Sequence, residues 1–162
     1  MTATPPPQDP AELTRHIETR YHARHREQLP ALAAMAERVE TVHADDTQVP
    51  AGLAALLRQM IGEMEVHMKK EELILFPAIR NGGAPGLEHP IAVMRADHAD
   101  HDQSLARIGQ LTGGLTLPEG ACGTWTRLYQ GLAEFVDDMN AHMHLENDVL
   151  FPQFEPAGPA HG

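Results

Sequence analysis

The sequence predicts an all-α protein, an antiparallel up-down four-helix bundle in which one helical hairpin is used twice. Three observations carry this. Apolar residues recur at alternating spacings of four and three over long stretches. Gly and Pro gather between those stretches, and no run reads as a strand. The letters of the first half return in the second at an offset of 75 or 76 residues. A chain of 162 residues suits one domain with a sizeable core. Residues 1–10, Pro-rich and polar, read as a disordered lead-in, residues 11–154 as the bundle, and residues 155–162 as a loose tail.

The first helix is expected from Pro10 to Ala44, with a kink at Pro30. Asp45 to Val49 form a loop, and Pro50 suits the first position of a second helix. That helix runs to Arg80, where Gly82 and Gly83 end it and Pro85 and Gly86 prolong the break. A third helix starts near Pro90 and stops at Gly113 and Gly114. The loop LTLPEG leads into a fourth, Ala121 to Phe151, closed by Pro152. Short loops make consecutive helices antiparallel neighbours.

Two core-facing stripes stand out. In the second helix the spacing selects Leu53, Leu57, Met60, Met64, His67, Glu71, Ile74 and Ala78. In the fourth it selects Leu128, Leu132, Phe135, Met139, His142, Glu146 and Val149. HMKKEELILFP (67–77) and HMHLENDVLFP (142–152) share His, Met, Glu, Leu, Phe and Pro in register. HARHREQL (22–29) and HADHDQSL (98–105) share His, Ala, His and Leu. Two such hairpins would pack about a pseudo-twofold axis.

His-x-x-x-Glu spans one helical turn, so both side chains leave one face. A lone buried imidazole is more often a hydrogen-bonded core residue than a ligand. Here the pair lies on an apolar stripe twice, with His22 and His98 available from the other two helices. A carboxylate in a bundle core is costly unless it is paired or binds a metal. His22, His67, Glu71, His98, His142 and Glu146 are therefore the candidate metal ligands. Six side chains suit two metals, each with two imidazoles and with both carboxylates bridging. That leaves open positions for oxo, hydroxo or a diatomic. The donor mixture is compatible with iron without selecting it. Ferritin-like bundles use Glu-x-x-His and carry about four negative charges, against about two here, which disfavours an iron oxidase or store.

The remaining residues divide by position. His25 and His101 lie one turn beyond His22 and His98, as further ligands or as hydrogen-bonding support. His43 is 21 residues from His22, about 30 Å along one helix, and stays outside. His16, His89, His144 and His161 read as solvated or loop residues. Tyr21 reads as half-buried, Cys122 as a small packing residue, and Met60, Met64 and Met139 as core filling. Phe76, Pro77, Phe151 and Pro152 close one end of the bundle.

With 12 Lys and Arg against 23 Asp and Glu, the net charge is −11. This excludes nucleic acid and an anionic membrane surface as partners. No apolar run is long enough to span a bilayer, and the first residues carry no signal-peptide pattern. One Cys excludes a disulfide framework and a cysteine-based cluster, so the cytoplasm is the expected compartment.

RYHARHREQLP, VHADD, HMKKEELILFP, ADH, CGTW and HMHLENDVLFP resemble the haemerythrin-like domain of the repair-of-iron-centres family, iron–sulfur cluster repair di-iron proteins. The motifs occur in order over about residues 11–154. The resemblance implies a non-haem di-iron centre, two iron ions per chain with an oxo or hydroxo bridge. It places the ligand histidines on His22, His67, His98 and His142 and the bridging glutamates on Glu71 and Glu146. It implies a stress-response role, binding nitric oxide or supplying iron to repair damaged iron–sulfur proteins. Full-length members also carry an N-terminal Cys-containing domain, whereas only the Pro-rich lead-in precedes this bundle. The third helix reads Asp97-His98 where the family often has Glu-His, and Asp102 stands where oxygen carriers have a fifth His. Two alternatives remain: an oxygen or redox sensor or carrier, and a nitric oxide or peroxide reductase.

Overall fold

The computed structural model describes residues 5–156. Four long helices follow one another, and all described regular structure is helical. The first starts at Pro10, with Asp9 accepting a hydrogen bond from the Glu12 amide. It runs as α-helix over Pro10–His16, as a π-helical segment over Ile17–His22, and as α-helix again over Ala23–Val42. The second comprises Leu53–Lys70, a π segment Glu71–Leu75, and Phe76–Arg80. The third, Glu88–Leu111, is α-helical throughout. The fourth comprises Gly123–His144, a π segment Leu145–Leu150, and a closing 3-10 turn Phe151–Gln153. The first helix packs on the second and fourth, and the second on the third.

Several ends differ from expectation. Pro50 lies in the loop, and the second helix starts at Leu53 behind Gly52, whose φ of 93° a side chain would resist. Glu40 of the first helix accepts from the Gly52 and Ala54 amides, capping that start from across the hairpin. Pro30 does not interrupt Ala23–Val42. It sits on the exposed face, where the carbonyl it leaves unpaired one turn back can be hydrated. Of the expected lead-in, residues 1–4 lie outside the described residues, and Pro10 already belongs to the helix. Of the expected loose tail, residues 157–162 lie outside them. Glu155 is anchored by Arg95 at 2.7 and 2.8 Å.

The π segments shift the core register. A π turn inserts about one extra residue, so everything beyond it rotates relative to a four-three count. Ile74, expected in the core, is 65 % exposed, as is its neighbour Leu73 at 70 %. Leu75, Phe76 and Ile79 are buried instead. The fourth helix slips the same way: Val149 is half-buried, and Leu150 and Phe151 are fully enclosed. Each π segment contains one of the candidate ligands His22, Glu71 and Glu146.

Two apolar clusters fill the bundle. One gathers Leu29, Leu32, Leu57, Met60, Met64, Trp125, Leu128, Phe135 and Met139. The other gathers Leu13, Ile17, Leu75, Phe76, Ile91, Leu150 and Phe151. Met60, Met64 and Met139 are thus core filling, as expected. The shifted register is open to a direct comparison. Ile74→Ser should change unfolding stability by less than about 0.5 kcal/mol. Leu75→Ala should cost about 2–4 kcal/mol in urea denaturation. The uninterrupted four-three count predicts the reverse ranking.

Candidate metal centre

The six candidate ligands meet in the interior, and all are buried. Their donor atoms form two groups, each within 4.8 Å of one another: His22, Glu71, His142 and Glu146, and His67, Glu71, His98 and Glu146. Both carboxylates belong to both groups. His22 Nε2 lies 3.1 Å and His67 Nε2 3.4 Å from Glu71 Oε1. His142 Nε2 lies 2.8 Å from Glu146 Oε2, and His98 Nε2 lies 2.8 Å from Glu146 Oε1.

Each imidazole is oriented through its other nitrogen. His22 Nδ1–H donates to Glu72 at 2.8 Å, His67 Nδ1–H to Asp97 at 3.0 Å, and His98 Nδ1–H to the Asn147 side-chain oxygen at 2.8 Å. His142 Nδ1 lies 3.0 Å from His25 Nε2. An acceptor at Nδ1 selects the tautomer in which Nε2 carries a free lone pair, the arrangement metal-ligating histidines adopt. Glu72 is fixed by Arg26 at 2.7 and 2.9 Å, and Arg26 is held in turn by Glu65. Phe76 stacks on His22 and Phe151 on His98, both at a 10° interplanar angle, which closes one side.

The donors fit a cation better than they fit one another. His67 Nε2, His98 Nε2, Glu71 Oε2 and Glu146 Oε1 are sealed from solvent without a hydrogen-bond partner. His98 Nε2 and Glu146 Oε1 are close but misaligned for a hydrogen bond, as expected of atoms facing a common third centre. Burial and the neighbouring Glu146 push the Glu71 carboxyl well above its usual range. Burial also opposes ionisation of Glu146, but His142 and His98 hold it well below. Burial pushes His22 down to about 4 and lowers His67; contact with Glu146 carries His98 up against its burial. Two enclosed carboxyl groups ringed by imidazoles, with four of their donor atoms unpaired, are a set that divalent cations would satisfy.

His25 and His101 are buried beside the centre, but neither belongs to a donor group. Burial drives both down to about 3. His43 lies elsewhere, 3.2 Å from Cys122 and against Trp125. Cys122 does more than pack, since its sulfur accepts from the Trp125 amide at the start of the fourth helix. Tyr21 is more enclosed than expected and stacks on His142 at 5.5 Å. His16 is half-buried against Tyr21, His89 and His144 are exposed, and His161 lies outside the described residues. Asp102 is exposed, so the five-His carrier pattern is not assembled there. Sequence reasoning missed Glu72 and Asn147. The signal was available: both follow a candidate glutamate, 75 residues apart, and each reaches the histidine of its own hairpin.

A four-helix bundle that converges imidazoles and paired carboxylates on one buried point is a cation-binding helical protein. The Hemerythrin HHE cation binding domain family matches residues 13–154, and the chain belongs to that family. It is 51 % identical over 141 residues to the "Iron-sulfur cluster repair protein YtfE" of Yersinia pseudotuberculosis serotype O:1b (strain IP 31758), covering 87 % of this chain and 64 % of that protein. It is 50 % identical over 136 residues to the "Iron-sulfur cluster repair protein DnrN" of Neisseria gonorrhoeae, covering 84 % and 85 %. The chain thus spans less than two thirds of the Yersinia relative and most of the Neisseria one. No helix among the described residues is long and apolar enough to cross a membrane.

Two outcomes are expected. Glu72→Ala and Asn147→Ala should each lower divalent-cation affinity about 10- to 100-fold in competition with a chelator, because each frees a ligand histidine to turn. Metal-free protein should lose stability between about pH 4.5 and pH 3. The unfolded chain takes up protons on His22, His25 and His101 from about pH 6.5 downward, whereas their folded values are about 4, 3 and 3, so across this range it carries protons that the fold still resists. The lowered Glu146 acts in the same direction, being ionised only in the fold. The urea midpoint should therefore be lower at pH 3.5 than at pH 4.5.

Proposed function

We propose that the chain holds two iron ions and serves in the repair of iron–sulfur clusters damaged by nitric oxide or peroxide. His22 and His142 would hold one ion, His67 and His98 the other, with Glu71 and Glu146 bridging both. The observation that carries this is the pair of donor groups sharing both carboxylates, in a chain half identical to proteins named for cluster repair. The functional unit is residues 11–154, and the expected compartment is the cytoplasm.

The iron pair, when bound, supplies open coordination positions and a change of oxidation state. The protein's part is to bind, orient and shield. Four imidazoles and two carboxylates give a bare site of about two negative charges, which holds divalent iron less firmly than the more acidic ferritin-type set. A moderate hold suits a protein that gives iron up to a recipient. Asp97, Glu72, Asn147 and His25 keep the imidazoles aimed, while Phe76 and Phe151 exclude water from one side. Nitric oxide, oxygen or peroxide are the small ligands such a site would take, and iron–sulfur proteins the recipients.

Iron analysis and a reactivation assay test this together. Protein purified without air should carry two irons per chain, react with nitric oxide, and restore activity to a [4Fe–4S] dehydratase inactivated by nitric oxide. Glu71→Ala and Glu146→Ala should each fall below two irons and lose the reactivation. Retention of two irons by both variants would overturn the bridging assignment. Iron-loaded protein that neither reacts with nitric oxide nor restores the dehydratase would overturn the repair role.

A further inference from the structure

The repeat makes His25 and His101 counterparts, yet the two halves of the centre treat them differently. His25 stacks on His142 at a 22° interplanar angle, with its Nε2 3.0 Å from His142 Nδ1. The equivalent contact would join His101 to His67, but Asp97 already occupies His67 Nδ1. His101 instead stands edge-on to His67, ring centres 4.9 Å apart, and 6.1 Å from His98. It is only 4 % exposed, and its Nδ1 is sealed from solvent with no hydrogen-bond partner. The same ring lines an open cavity of about 320 Å³ with Gly62, Glu63, Val66, Asp97 and Asp100.

A leucine at this position would leave no buried nitrogen unpaired. A buried polar nitrogen left unpaired costs about 1–3 kcal/mol, so its presence asks for a partner that comes and goes. A neutral imidazole carries one N–H donor. We propose that His101 donates a hydrogen bond to the small molecule taken up at the His67–His98 position, which makes that position the one that receives outside ligands. The His22–His142 position, whose neighbouring imidazole is already committed to His142, is then the closed half. This rests on the two-iron reading above and adds to it a division of labour between the halves.

Azide is a suitable probe, because it needs only an open position on oxidised iron and no repair activity. Wild-type diferric protein, His101→Leu and His101→Asn are titrated with azide, with iron content and the azide stretching frequency read in each. His101→Leu should keep the wild-type iron content, bind azide about fivefold to tenfold more weakly, and shift the stretch. His101→Asn, which restores a donor, should recover most of both. Unchanged affinity and frequency in His101→Leu would overturn the proposal, as would a wild-type protein with two irons that takes no azide. Loss of iron from His101→Leu would overturn it too, by making His101 a ligand. Fewer than two irons in the wild type would overturn the two-iron reading and this proposal with it.

Discussion

Two carboxylates sealed inside a helical bundle are the constraint on which the rest depends. Glu71 and Glu146 are fully enclosed, and two ionised carboxylates at close quarters in an apolar interior are strongly unfavourable without positive charge. Every neighbouring feature answers to that. The imidazoles supply donors without adding negative charge. Glu72, Asp97, Asn147 and His25 hold them with their lone pairs inward. The core divides into two apolar clusters so that a polar layer can lie between them. Packing alone would favour apolar residues of similar volume at these positions, so the layer is kept for what it binds.

Much of this was legible in the chain. The helices, the hairpin repeat and the convergence of His22, His67, Glu71, His98, His142 and Glu146 follow from spacing and from the place of the polar residues on apolar stripes. The register beyond the glutamates was not legible, for a specific reason. Leu73, Ile74, Leu75 and Phe76 are all apolar, so periodicity fits the four-three count and the count displaced by one equally well. Only the π turn decides that Ile74 faces outward and Phe76 inward against His22. Pro30 misled in the opposite sense, because a helix-breaking residue on an exposed face can leave its helix intact. Glu72 escaped notice because it reads as one more surface charge, and its partner His22 is far away in sequence.

The repeat is a scaffold more than a strict symmetry. Phe76 with His22 and Phe151 with His98 match closely, as do Glu72 with His22 and Asn147 with His98. The match fails around His67 and His142. The first is supported by a carboxylate and the second by an imidazole and a stacked tyrosine. The π segments follow the same rule, since the first, second and fourth helices have one and the third does not. Backbone irregularities of this kind gather where side chains must be placed for function.

The way the donors are shared has one more consequence. Each group draws its histidines from both hairpins, His22 with His142 and His67 with His98. A cation in either position is therefore a rivet between the halves of the chain, and occupancy and closure of the bundle become one equilibrium. A chelator that competes for the metal would loosen the holder as it strips the site. The free-cation concentration around the protein would then set how tightly one half grips the other.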